Sequence, residues 1–171
     1  AREAVGGFCL INDFTARDVQ MVEMAEVGFG LSKAKGFATG IGRCVTTPDE
    51  VWPLLERRGG ARVSVTIDGA AVAEGTTSPG GKTHAVEDCV SYAALGERLQ
   101  AGEVLGLGTV PGCCAAENGR WLEEGSEIEL HAEGLGTCTH TVLPRAGAHV
   151  DFRHLRYGPK PPASRRGRAG A

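Results

Sequence analysis

The sequence predicts a mainly β fold of the α+β kind with one long helix. Three observations carry this. Glycine supplies 26 of 171 residues, well above its usual share of about 7%, so tight turns between short strands are expected. Arg62-Val63-Ser64-Val65-Thr66-Ile67 alternates in polarity and runs into Asp68-Gly69, the pattern of a strand entering a hairpin. Helical spacing is sustained in one place, through Val86, Cys89, Val90, Ala93, Ala94 and Leu95, which predicts the helix over 85–99.

The other elements follow in order. The apolar run at 5–11 reads as a first strand, and 14–27 suits one or two helical turns stopped by Gly28 and Gly30. A polar loop, "GFGLSKAKGFATGIG", leads to a short strand at 43–46, and Pro48-Asp49-Glu50-Val51 is a helical turn begun by Thr47. Ala71-Val72-Ala73-Glu74 returns the hairpin, and Thr83 caps the long helix. Further strands are expected at 103–109, 127–132 and 137–143.

One domain accounts for a chain of this length. A net charge of −3 gives no broad basic field, which argues against nucleic acid as a partner. Only the stretch from Gly158 departs, with three prolines beside Lys160, Arg165, Arg166 and Arg168, the composition of a disordered tail. No run approaches the roughly 20 apolar residues of a membrane span, and Ala1-Arg2-Glu3-Ala4 lacks a signal core, so no membrane association and a cytoplasmic location are expected. Cys9, Cys44, Cys89, Cys113, Cys114 and Cys138 form no C-x-x-C pair and are expected to be reduced, mostly buried thiols. The chain does not begin with Met, which suggests a fragment or a processed piece.

Several motifs read as structure. Gly80-Gly81-Lys82-Thr83 lacks the upstream glycine a phosphate loop needs, since Thr76 stands at its place. The glycines at 106, 108 and 112 suit bends. His131 and His140 alternate with apolar residues and are expected to face outward, and no G-x-S-x-G presents a nucleophilic serine.

The stretch "NDFTARDVQ", residues 12–20, is richer in chemistry. If Asp13 caps a helical turn, Asp13, Arg17 and Gln20 stack on one face at i, i+4 and i+7. One reading is an N-cap with an Asp-to-Arg pair. The other is a carboxylate holding a hard divalent cation, with Arg17 and Gln20 placed to grip an anionic, oxygen-rich substrate.

This stretch resembles the signature of the fumarylacetoacetate hydrolase family, usually N-D-W-S-A-R-D-x-Q, here with Phe14 and Thr15 replacing Trp and Ser. Lys35-Gly36-Phe37-Ala38-Thr39 is similar to the family's K-x-F-x-T, "LQAGEVLGLGT" at 99–109 to its L-x-x-G-[DE]-V…G-T strand end, and 121–136 to its closing W-L-x-x-G strand pair. The resemblance implies a mixed β-sheet roll or sandwich of the family's C-terminal catalytic type over 1–145, with the N-terminal part of the domain missing and 146–171 as an extension. It implies Mg²⁺ or Mn²⁺ at Asp13, with Lys35 and Thr39 near the metal and its waters. It gives Arg17, Gln20 and Lys35 the substrate's carboxylate and keto oxygens, Thr109 a substrate contact, and Lys35 and Glu117 catalytic roles, Glu117 helping a histidine to activate water. The family's other metal ligands and its catalytic histidine lie upstream of this signature, and twelve residues precede Asp13, so this chain alone is expected to hold an incomplete metal site. The implied chemistry is metal-assisted C–C bond hydrolysis of a 1,3-diketo or 2-oxo acid, or a related decarboxylation, isomerisation or hydration, in a homodimer. The alternative is a non-catalytic binding or dimerisation module that keeps the fold without a complete metal site.

Overall fold

The structure, a computed structural model, describes residues 1–27, 30–77 and 84–144. These fall into two compact units, one made of residues 1–13 and those from 40 to 144, the other of residues from 14 to 39.

The first unit is built on a four-stranded sheet, β3 (Arg62–Ile67), β4 (Ala70–Thr76), β5 (Glu127–Ala132) and β6 (Gly136–Thr141), in the order β4-β3-β5-β6. Every pairing among the described residues is antiparallel. The β3–β4 hairpin turns on Asp68 and Gly69, with φ of 53° and 74°. Two consecutive positive φ values give the turn whose twist matches its strands, which is why Asp-Gly stands there. The Asp68 carboxylate also accepts the Glu127 amide at 2.8 Å, tying this turn to the start of β5.

Register then sorts the side chains. Val65 pairs with Leu130 and Leu130 with Cys138, while Ile67 pairs with Ile128 and Ile128 with His140. Val65, Ile67, Ile128, Ala132 and Cys138 are buried on this face. Ser64, Thr66, Glu129, His131, Thr137 and Thr139 occupy the alternate positions. Burying each Val or Ile is worth about 1.5–3 kcal/mol, so a one-residue slip would forfeit the core.

Around the sheet, α2 (Pro48–Glu56) starts with Pro48 in its first turn and Asp49 and Glu50 complementing its dipole. It runs on through Pro53, well past the single turn expected at 48–51, and buries Val51. Trp52 stacks edge-on against Phe8 at 5.1 Å, and the Arg2 guanidinium lies 3.9 Å over its ring while also bonding Glu56. The first residues are thereby clamped to α2.

Four expected elements are corrected. The strand over 5–11 is reduced to β1 (Ile11–Asn12), which pairs with β2 (Gly40–Ile41), plus a bridge between Phe8 and Thr46. The strand at 43–46 is replaced by that bridge, because four residues, 42–45, intervene between β2 and Thr46 and Val45 is exposed. The helix over 85–99 is α3 (Val86–Ala93), with Ala85 at its N-cap; Gly96, at φ 79°, turns the chain left-handed and leaves Leu95 exposed. Residues 103–109 join no sheet, since Gly102 and Gly108 take φ of 92° and 99° and break the extended run. The thiols are free, but Cys138 alone is buried, Cys44 is exposed and the rest are half-buried. Gly80-Gly81-Lys82-Thr83, the cap expected at Thr83, the stop at Gly28 and the basic tail lie outside the described residues.

One ion pair joins the end of α2 to the β5–β6 turn. Arg57 donates to both oxygens of Glu133, at 3.0 and 2.6 Å, and Glu133 also accepts the Arg62 amide at 3.1 Å. The Arg57 hydrogen bonds, then the Arg62 amide, hold the Glu133 carboxyl down at about 2. Its folded pKa is depressed, so its contribution is full above the ordinary carboxylate value of about 4.3 and is lost as pH falls through the folded value. Glu133→Gln should therefore lower the urea midpoint at neutral pH and flatten its fall between about pH 4 and 2. An acid limb as steep as that of the wild type would remove Glu133 as its cause.

Candidate functional site

In the second unit, α1 (Arg17–Val22) begins at Arg17 with Ala16 at its N-cap and continues as a π turn over Glu23–Val27. Asp13 therefore lies outside the helix, so the condition for an i, i+4, i+7 spacing on one helical face is not met. Its last two members do meet: Arg17 donates to the Gln20 side-chain oxygen at 2.7 Å, the neighbour geometry of i and i+3.

The turn that carries Lys35 is fastened to the same unit. Glu23 accepts the Lys33 and Ala34 amides at 2.7 and 3.1 Å, and these bonds, the Lys33 amide first, pull its carboxyl below the usual range. Ala16 donates to the Ala34 carbonyl at 2.9 Å, and Ala34 is fully buried. Lys35, half-buried, donates to the Thr15 hydroxyl at 3.1 Å. Thr15 thus keeps the hydroxyl that the usual serine would offer. The Arg17–Gln20 and Lys35–Thr15 pairs lie in one segment of 26 residues, while Thr39, exposed, closes it. Glu23 is the organising residue missed from sequence; as one acid among several polar residues it carried no spacing that set it apart.

In the first unit, Asp13 is exposed directly after β1, and Thr109 is exposed beyond Gly108. Glu117 sits in a 3₁₀ turn over Ala116–Asn118. Its carboxylate accepts the Gly112 and Cys114 amides at 3.0 and 3.3 Å. The Asn118 side chain donates to the carbonyls of the same two residues at 2.8 and 2.9 Å. Both backbone groups of Gly112 and of Cys114 are thus taken by two adjacent side chains. Glu117 has a loop-holding role that its motif did not announce, and Asn118, unremarked in the sequence, completes it. Burial, with Glu117 second, pushes the Cys113 thiol up and keeps it protonated. His131 is exposed as expected, but His140 faces the core side of β6 and is half-buried.

A profile of the fumarylacetoacetate hydrolase C-terminal domain matches residues 1–143. The chain belongs to the fumarylacetoacetate hydrolase family. A Burkholderia cenocepacia (strain HI2424) protein named only as a hydrolase is 33% identical over 140 residues, 80% of this chain and 46% of its own. The fumarylacetoacetate hydrolase of Exiguobacterium antarcticum superposes with a TM-score of 0.67 at 26% identity, covering 84% of this chain and 49% of that one. A 2-keto-3-deoxy-D-arabinonate dehydratase solved with magnesium and 2,5-dioxopentanoate shares the fold, with a TM-score of 0.55 at 18% identity over 82% and 48% of the two chains. The chain therefore spans about half the length of the relatives it matches.

For a member of this enzyme family the metal question is concrete. Among the described residues, no three His, Cys, Asp or Glu side chains gather closely enough to hold a cation. Asp13 is one carboxylate, and a hard divalent ion asks for more oxygen ligands than one. The described residues do not by themselves fit a complete magnesium site. No helix among them is long and apolar enough to cross a membrane.

The Glu117 clamp has a direct test. Glu117→Ala should lower the urea midpoint and should speed exchange of the Gly112 and Cys114 amides above all others. Unaltered exchange at those two amides would contradict the clamp.

Proposed function

We propose that this chain contributes part of the active site of a magnesium- or manganese-dependent enzyme acting on small 1,3-diketo or 2-oxo acids. The reaction class is C–C bond hydrolysis or a related decarboxylation, isomerisation or hydration, carried out by a cytoplasmic homodimer. The observation that supports it most is a pair of contacts in the second unit: Arg17 bonded to Gln20 and Lys35 fixed against Thr15. A guanidinium matches a carboxylate as a two-pronged donor, an ammonium supplies a compact charge for a keto or enolate oxygen, and a carboxamide donates and accepts. An oxo acid presents those features together. The hydrogen bonds that Arg17 and Lys35 already make reduce the side-chain entropy lost when such a substrate arrives.

In this reading Arg17 and Gln20 orient the carboxylate, and Lys35 stabilises negative charge on the keto oxygen as it develops. Thr109 contacts the substrate. Glu117 holds the loop over 112–114 and orders a water beside it. Asp13 is the cation ligand that the first unit supplies, the family's K-x-F-x-T pattern gives Thr39 a role toward the cation's waters, and the other ligands come from residues outside those described.

Two titrations of this chain test the assignment. Pyruvate, as the simplest 2-oxo acid, should bind with an affinity that Arg17→Ala weakens roughly 10- to 100-fold, the loss expected of a charged hydrogen bond, with the thermal midpoint unchanged. Equal affinity in wild type and Arg17→Ala would sink the carboxylate role. Mn²⁺ followed by calorimetry should bind in the millimolar range or tighter and lose that binding in Asp13→Ala; identical isotherms would take Asp13 out of the metal site.

A further inference from the structure

Gly40 is buried in β2 and pairs with Asn12 of β1. Its φ is not in the left-handed region, so backbone conformation does not demand glycine here. Space does. A Cβ on residue 40 would lie 2.2 Å from His140 Nε2, 2.5 Å from His140 Cε1 and 3.1 Å from the Asn12 Cβ. The imidazole occupies the volume that any other residue at 40 would fill, wedged against the strand pair beside Asn12.

The same edge of the ring also meets a neighbour on its own strand. His140 Nε2 lies 3.0 Å from Cys138 Sγ, two residues back on the same face of β6. Burial, with Cys9 second, pushes the Cys138 thiol up, so this is a contact with a neutral thiol rather than a thiolate poised for attack. Cys138 is 4% exposed, out of reach of a substrate. The sheet thus sends a side chain from β6 to the two-residue pairing of β1 with β2, beside which Gly42 N–H donates to the Leu10 carbonyl at 2.8 Å. Asn12 Nδ2, on the same pair, is buried and has no hydrogen-bond partner among the described residues.

We propose that His140 is a positioning residue: by filling the space left at Gly40 it fixes the β1–β2 pair and so sets the place of Asp13, the residue that follows Asn12. Its consequence for cation binding rests on the reading of Asp13 given above. Its consequence for the strand pair does not.

Four variants of the full chain, Gly40→Ala, His140→Ala, His140→Gln and the Gly40→Ala/His140→Ala double, separate the two. Amide exchange at Gly42 reports the strand pair, and Mn²⁺ affinity reports Asp13. His140→Ala should raise Gly42 exchange and weaken Mn²⁺ at least tenfold, and His140→Gln, which keeps a planar polar side chain in the wedge, should recover most of both. Gly40→Ala should show the same two defects, and the double variant should be no worse than His140→Ala, because the added methyl then meets no ring. Wild-type exchange and affinity in His140→Ala, losses in the double that add, or no recovery in His140→Gln would each overturn the proposal. A wild-type chain that ignores Mn²⁺ while His140→Ala still loosens Gly42 would overturn the metal role of Asp13 and support His140 as the support of its strand.

Discussion

The pairing of β3 with β5 is the constraint on which the first unit depends. Sixty residues separate Ile67 from Ile128, yet they stand opposite each other in register and bring the two most buried isoleucines of the sheet together. Closing so long a loop costs entropy before any contact rewards it. The return comes from one apolar face, Val65 and Ile67 against Ile128, Leu130 and Ala132, and from Asp68, whose carboxylate receives the Glu127 amide and sets where β5 begins. Once this seam is in register, β4 follows by a two-residue turn and β6 by a short connection. The positions of Cys138 and His140 are then no longer free, because each is a fixed step along a strand whose partner is already placed.

What was legible from the sequence was whatever depended on period and turn chemistry. Arg62-Val63-Ser64-Val65-Thr66-Ile67 with Asp68-Gly69 announced a hairpin, and the alternation over 127–132 announced its strand to the residue. What was not legible depended on who would pair. The apolar run at 5–11 has every local mark of a strand, but only Ile11 and Asn12 form a ladder, since residues 43–45 intervene between the Gly42–Leu10 bond and the return of Thr46 to Phe8. The 103–109 run failed for a local reason that could have been weighed, the glycines at 102, 106 and 108, two of them left-handed. The helix beyond Ala93 failed the same way at Gly96.

The site shows the same division. The signature over 12–20 and the Lys35 motif named Arg17, Gln20 and Lys35, and the fold joins Arg17 to Gln20 and Lys35 to Thr15. The assumed helical stack from Asp13 was wrong because the helix starts four residues later, at Arg17. Motifs also name the residues expected to touch substrate and omit those that hold them. Glu23, Asn118 and His140 all act through main chain or through a neighbouring side chain, and no spacing in the sequence marks such a role.

A common arrangement runs through these supports. The side chains expected to meet an oxo acid are half-buried or exposed and sit at element ends, where the backbone alone is least able to hold them. Three places have a support whose own alternatives are few: Glu23 is committed to the Lys33 and Ala34 amides beside Lys35, Glu117 to the Gly112 and Cys114 amides, and His140 to the space a glycine leaves beside Asn12. These supports restrict geometry without occupying the ligand-facing atoms. A charged hydrogen bond to a substrate gains most when the donor has already lost its freedom, so stiffness delivered from behind is worth more to binding than another contact in front. Gly40 is the limiting case of that logic, a residue whose contribution is the side chain it does not have.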